Sequence, residues 1–113
     1  MSLSEEEYLR ERSVARALPL GSRPMKAHPP NQVRFGLALR RRRLGLGLSQ
    51  EALADSIGMN RSYYWKVEHG WKNLKMDTVE ILCKGVKAKV WQIYKDADEI
   101  KDIKAFSDEL KDL

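Results

Sequence analysis

Apolar side chains recur along residues 49–70 at the spacing of two short helices. Leu53, Ala54 and Ile57 fall at one-turn intervals, so the first helix has one apolar face. Ser49 stands at its N-cap position, where the hydroxyl can accept from the first unpaired amides. Gly58 supplies the positive-φ residue that ends a helix, and Asn60 offers a side-chain cap for the next. In that second helix Tyr64 and Val67 share a side, which leaves Arg61, Ser62, Trp65 and Lys66 on the others. Only residues 58–60 separate the two patterns.

The same periodicity predicts further helices on both sides. Residues 32–44 present Val33, Phe35 and Leu39 inward, with Leu37 as a further candidate, and Gly45 and Gly47 break the pattern. Residues 71–75 read as a loop. Asp77 with Glu80 predicts a capping-box start to a helix whose inner side is Val79, Leu82, Cys83 and Val86. A short helix over 90–95 would bury Val90 and Ile93, with Trp91 as a further candidate. At the front, residues 4–18 form a short amphipathic pattern opened by Ser4 and Glu7, and residues 19–30 hold all four prolines and read as an extended linker. At the end, Ile100, Ile103, Phe106, Leu110 and Leu113 recur at spacings of 3, 3, 4 and 3, the stripe of one more amphipathic helix. The expected fold is all-α, divided into an N-terminal helical arm (1–18), a proline-rich linker (19–30), a five-helix domain (31–95) and a C-terminal acidic amphipathic helix (96–113).

Charge sharpens this division. The net charge of +5 is spread unevenly. Residues 34–95 carry thirteen Lys/Arg against five Asp/Glu, whereas residues 96–113 carry three against seven. A basic domain attracts polyanions whatever their sequence, although a soluble basic surface alone would look the same. No run approaches the ~18 apolar residues of a membrane helix, and the opening residues lack the pattern of a secretory signal. The single cysteine fits a reducing cytosol, and a cytoplasmic protein is expected.

Two helices joined across three residues have the spacing of a helix-turn-helix, in which the second helix is offered to a DNA major groove. Leu48-Ser49-Gln50-Glu51-Ala52-Leu53-Ala54, then Ile57-Gly58, then Glu68-His69-Gly70 resemble the Cro-type, lambda-repressor-like (XRE-type) helix-turn-helix family. Phe35-Gly36, Leu39-Arg40 and Arg43 match its first helix, and the likeness extends over residues 33–95. It implies a five-helix lambda-repressor-like DNA-binding domain, and double-stranded DNA as partner. It also implies a buried ion pair between Arg43 and Glu68; the competing reading of Arg43 is a phosphate contact. Gln50 resembles the family glutamine that braces the recognition helix against the DNA backbone.

For base readout the candidates are Asn60, Arg61, Ser62, Trp65 and Lys66. Arg61 can fork onto guanine O6 and N7, Lys66 can reach the same acceptors, and Ser62 can donate or accept. Asn60 has capping as its rival role, and Trp65 has either thymine methyl and sugar contacts or the shielding of Tyr64. Arg40, Gln50, Lys72, Asn73 and Lys75 are the phosphate candidates. Four departures from the family pattern stand out: Tyr64 in place of an aliphatic core residue, Trp65 at a position usually small and polar, Trp71 at one commonly basic, and Lys87 where a C-cap glycine is usual. His28 and His69 form no metal or catalytic constellation, so neither metal, cofactor nor enzymatic activity is expected.

The expected function is a sequence-specific transcriptional regulator, a repressor, bound to a two-fold operator as a homodimer. The alternative is an antitoxin-like module whose extensions bind a partner protein. Pairing is assigned to Trp91 with the stripe of Ile100, Ile103, Phe106, Leu110 and Leu113, and the N-terminal helix beyond its proline linker is the second candidate. The rival reading is that this tail folds back on its own domain.

Overall fold

The computed structural model describes residues 29–111; the 4–18 arm, residues 19–28 of the linker and Leu113 lie outside the described residues. The described chain is all helical: α1 Pro30–Gly45, α2 Gln50–Ser56, α3 Arg61–Glu68, α4 Met76–Gly85, α5 Val90–Asp98 and α6 Ile103–Lys111. Pro30, expected in the linker, is instead the first residue of α1, where its missing N–H costs nothing and its fixed φ suits the helix. Asp77 sits one residue inside α4 rather than at its cap, which is Lys75 without a side-chain bond, and it still faces the positive end of the helix dipole.

Side chains from α1 to α5 meet in one core, with Leu39, Leu53, Tyr64, Leu82 and Ile93 fully buried. Cys83 lies among them, and burial pushes its thiol up to about 11, so it packs as a small apolar group. A second, smaller core lies on the other side of α1. There Leu37 packs with Ile100 and Leu110, flanked by Val33, Leu44, Ile103 and Phe106. The tail therefore lies on its own domain. Ile100 and Leu110 are each only 4 % exposed, so they are not available to a second subunit. Of the stripe assigned to pairing, Ile100 and Leu110 thus pack on the far face of α1, as the rival reading of the tail has it.

Four helices end in the same way. In each, the N–H two residues past the cap reaches back to the carbonyl of the third-last helical residue, and the residue between takes a positive φ. Leu48 N to Arg43 O closes α1, Met59 N to Ala54 O closes α2, Trp71 N to Lys66 O closes α3 and Ala88 N to Cys83 O closes α4. Gly47, Gly58 and Gly70 fill the positive-φ position three times, and Lys87 (φ 57°) fills it the fourth. The turn between α4 and α5 thus survives without its glycine. A side chain in this conformation costs on the order of 1–2 kcal/mol, partly offset by the lower unfolded-state entropy of a non-glycine residue. Lys87→Gly should therefore stabilise the domain by about 0.5–1 kcal/mol. The check is a denaturant melt, in which the midpoint rises while the slope stays that of the parent.

Candidate nucleic-acid interface

The recognition helix α3 begins at a cap. Asn60 Oδ1 accepts from Tyr63 N at 3.0 Å, and Ser49 Oγ does the same for α2 by accepting from Ala52 N at 3.0 Å. Both turn residues are thereby committed to holding the motif's helices.

The other end of α3 is fixed by a carboxylate. Arg43 Nε donates to Glu68 Oε2 at 2.6 Å and Arg43 Nη2 to Glu68 Oε1 at 3.0 Å, with the two side chains 6 % and 0 % exposed. Arg43 Nη1 also donates to the Leu48 carbonyl at 2.7 Å, tying in the turn before α2. Gln50 Nε2 donates to Glu68 Oε1 at 3.0 Å, and the Tyr64 hydroxyl donates to Glu68 Oε2. Among the described residues, no buried side-chain polar atom lacks a partner. Burial and the neighbouring Glu68 charge push the Tyr64 phenol well above its ordinary pKa, which keeps it a donor. Burial lowers the Arg43 pKa, but hydrogen bonding and charge from Glu68 outweigh it and the net shift is upward. The α1–α3 approach depends on Gly36. A Cβ there would lie 2.7 Å from the Val67 carbonyl oxygen and closer still to that of Glu68.

The outward residues of α3 are held in place as well. Arg61 forks onto Asp55, Nε to Oδ1 at 3.1 Å and Nη2 to Oδ2 at 2.7 Å, in a pair exposed on both sides. The hydrogen bond from Arg61 lowers the Asp55 pKa, and the same bond raises that of Arg61. Trp65, 39 % exposed, stacks on His69 with ring centroids 3.8 Å apart and meets the edge of Trp71 at 5.3 Å. His69 Nδ1 sits 2.7 Å from the Trp65 carbonyl oxygen. Ser62 is exposed and Lys66 half-buried. Beyond the helix, Lys72 Nζ lies 5.4 Å from the centre of the Tyr63 ring, and Asn73 and Lys75 are exposed.

The four consecutive arginines of α1 separate completely. Arg41 lies over the Phe106 ring of α6 at 5.8 Å, Arg42 Nε donates to Asp96 Oδ2 of α5 at 2.8 Å, and Arg43 reaches Glu68. Arg40 has no such partner among the described residues. It lines a surface depression together with Gln50, Trp65 and His69, which brings two phosphate candidates beside the recognition helix.

Sequence reasoning missed four participants. The Tyr64 hydroxyl and the His69 ring each lie four residues from their partner, a spacing that was there to be used. Asp55 faces Arg61 across the turn, and Tyr63 faces Lys72 across the loop after α3; only the three-dimensional path of the chain shows these pairs.

Two helices set across a tight turn, the second with a buried face clamped and a polar face outward, define a helix-turn-helix DNA-binding domain. A profile described as a helix-turn-helix domain matches residues 34–90, half of the chain. The chain belongs to the helix-turn-helix DNA-binding family of the Cro and lambda-repressor type. It is 29 % identical over 69 residues to Control protein C.MunI of Mycoplasma sp, covering 60 % of this chain and 93 % of that protein. Its fold is similar to the clp gene regulator ClgR of Corynebacterium glutamicum, with a TM-score of 0.62 and 22 % identity over 75 % of this chain and 90 % of that one. A hypothetical transcription factor NHTF from Neisseria aligns with a TM-score of 0.51 and 27 % identity, over 63 % of this chain and 82 % of that one.

Removing Arg43 would leave the Glu68 carboxylate buried without its cation. Arg43→Ala should cost roughly 3–5 kcal/mol, and Arg40→Ala almost nothing. Denaturant melts of the two variants side by side measure the difference, and equal stability would rule out a structural role for the pair.

Proposed function

We propose that the chain is a sequence-specific double-stranded DNA-binding transcriptional regulator, a repressor, acting on a two-fold operator as a dimer. The observation that supports this most is the clamped recognition helix. Its buried face is tied to α1 and α2 through Glu68, while Arg61, Ser62, Trp65 and Lys66 stay at or near its surface. The relatives named as a control protein and a gene regulator agree with it.

In this reading Arg61 exchanges Asp55 for guanine O6 and N7. Both ends of the Arg61–Asp55 pair face solvent, so the exchange costs little. Lys66 and Ser62 take neighbouring acceptors, Trp65 contributes apolar surface, and Asn60 serves mainly as a cap. Arg40, Lys72, Asn73 and Lys75 contact phosphates. Gln50 can join them through its second amide hydrogen, since one already serves Glu68. The antitoxin-like alternative draws on two amphipathic extensions; of these, the C-terminal one packs on α1 through Ile100 and Leu110, and the 4–18 arm lies outside the described residues.

Selection of bound duplexes from a random pool gives the operator. On that site, Arg61→Ala and Lys66→Ala should each cost about 1–3 kcal/mol and relax the preference at one base pair. Lys72→Ala should weaken every sequence alike. Uniform weakening by Arg61→Ala would move that residue to the phosphate contacts.

We assign pairing to α5, because among the described residues expected to dimerise only Trp91 is prominently exposed, at 60 %. Tyr94 lies three residues on, along the same side of the helix, and is exposed too. One recognition helix covers too few base pairs to find a site among ~10⁶ or more competitors, and a dimer offers two helices one turn apart. Trp91→Glu should leave the fold intact and yield a monomer by light scattering, with operator affinity lost. A dimeric variant would exclude this face.

A further inference from the structure

We propose that α6 extends the DNA interface, and that Lys111 and Ser107, with Arg40, hold a backbone phosphate that flanks the operator outside the helix-turn-helix. This inference rests on the DNA-binding reading and adds an element to it.

The depression that holds Gln50 and Trp65 does not stop at α1. Arg40 and His69 line it, and the same two residues line a second depression whose far wall is Ile103, Ser107 and Lys111 of α6. Arg40 and His69 thus stand between the start of the helix-turn-helix and the tail helix. The apolar part of the second depression's lining is Val33, Leu37 and Ile103. Glu68 also borders it, but that carboxylate is fully buried and is bonded twice to Arg43. It therefore presents little repulsion to an incoming anion.

The remaining polar lining residues suit a phosphate. Arg40 has no ion pair or hydrogen bond to another described residue. Among the described residues Lys111 Nζ has only Asp108 Oδ1, at 3.4 Å, and this pair is 67 % and 57 % exposed. Such a contact is long and weak, and a phosphate oxygen can replace it. Ser107, half-buried one turn before Lys111, adds a hydroxyl donor. Side chains of these types carry most protein–phosphate contacts. A phosphate bound here requires α6 to lie where the small core of Leu37, Ile100 and Leu110 holds it. That core thereby acquires a purpose besides covering α1.

The test uses the full chain and the selected operator in two duplexes, one with flanking base pairs on both sides and one trimmed to the contacted half-sites. On the long duplex, Lys111→Gln should bind every sequence about fivefold more weakly per subunit at 0.15 M salt and lower the salt slope by about 0.9 per subunit. The trimmed duplex should not distinguish this variant from the parent. Asp108→Asn removes a competing charge without removing a donor, so it should bind the long duplex several-fold more tightly. Lys84→Gln on α4 serves as the control and should change neither. Unchanged affinity and slope for Lys111→Gln on the long duplex, with Asp108→Asn also neutral, would overturn the assignment while leaving DNA binding intact. If the parent itself bound no duplex from the pool, both readings would fall together.

Discussion

A single buried carboxylate holds this domain in its working shape. Glu68 accepts from Arg43 of α1, from Gln50 of α2 and from Tyr64 of its own helix. Its charge has been taken out of water, so its tolerance depends on every one of these partners being in place. The geometry is correspondingly restrictive: a bidentate guanidinium accepts one approach direction, and the phenol and amide fill the remaining lone pairs. The relative pose of α1, α2 and α3 follows. Gly36 allows the backbones to come close enough, and Gly70 does the same at the next turn, where a Cβ would stand 2.7 Å from Val33 Cα. An apolar core alone would specify that these helices pack. The ion pair specifies how.

The same economy runs through the outward face. Residues proposed to meet DNA are held in the free chain by local partners: Asn60 by the Tyr63 amide, Arg61 by Asp55, Trp65 by His69 and Trp71. The strength of each hold fits the role. Asn60 satisfies a helix end and leaving it would orphan an amide. Asp55 and Arg61 meet in water, where the bond is easily exchanged. The stacked aromatic rings at the end of α3 order one another and lose less side-chain entropy when a ligand arrives.

Much of this was legible along the chain because turns and one-sided helices leave local marks. Ser49, Gly58 and Asn60 announced the motif, and Leu53, Tyr64, Val67 and Leu82 lie in the core that their spacing predicts. α1 was legible only in part. It buries Phe35, Ala38 and Leu39 toward the helix-turn-helix and Leu37 toward α6, and a helix covered on two sides has no single stripe for periodicity to find. The docking of the tail was legible only as one of two alternatives, since a stripe shows that a helix is covered and never by what. The Arg43–Glu68 pair, twenty-five residues apart, was named through the family likeness and not through spacing. Lys87 shows the reverse case: a departure from the expected glycine that the backbone absorbs, because two hydrogen bonds still demand the turn.

The net charge of the tail says little about what any one of its faces presents, for a reason that applies beyond this chain. Residues 96–113 are acidic in sum, with three Lys/Arg against seven Asp/Glu. At physiological salt, however, charges interact over about 8 Å, so the arrangement on each face outweighs the total. In the folded chain Asp96 is neutralised by Arg42 across the α1–α5 contact, and Asp108 is shared with Lys111. The docked helix turns Ser107 and Lys111 toward Arg40 and His69. An acidic segment can therefore present a donor-rich edge to a polyanion once packing has decided which of its residues stand there.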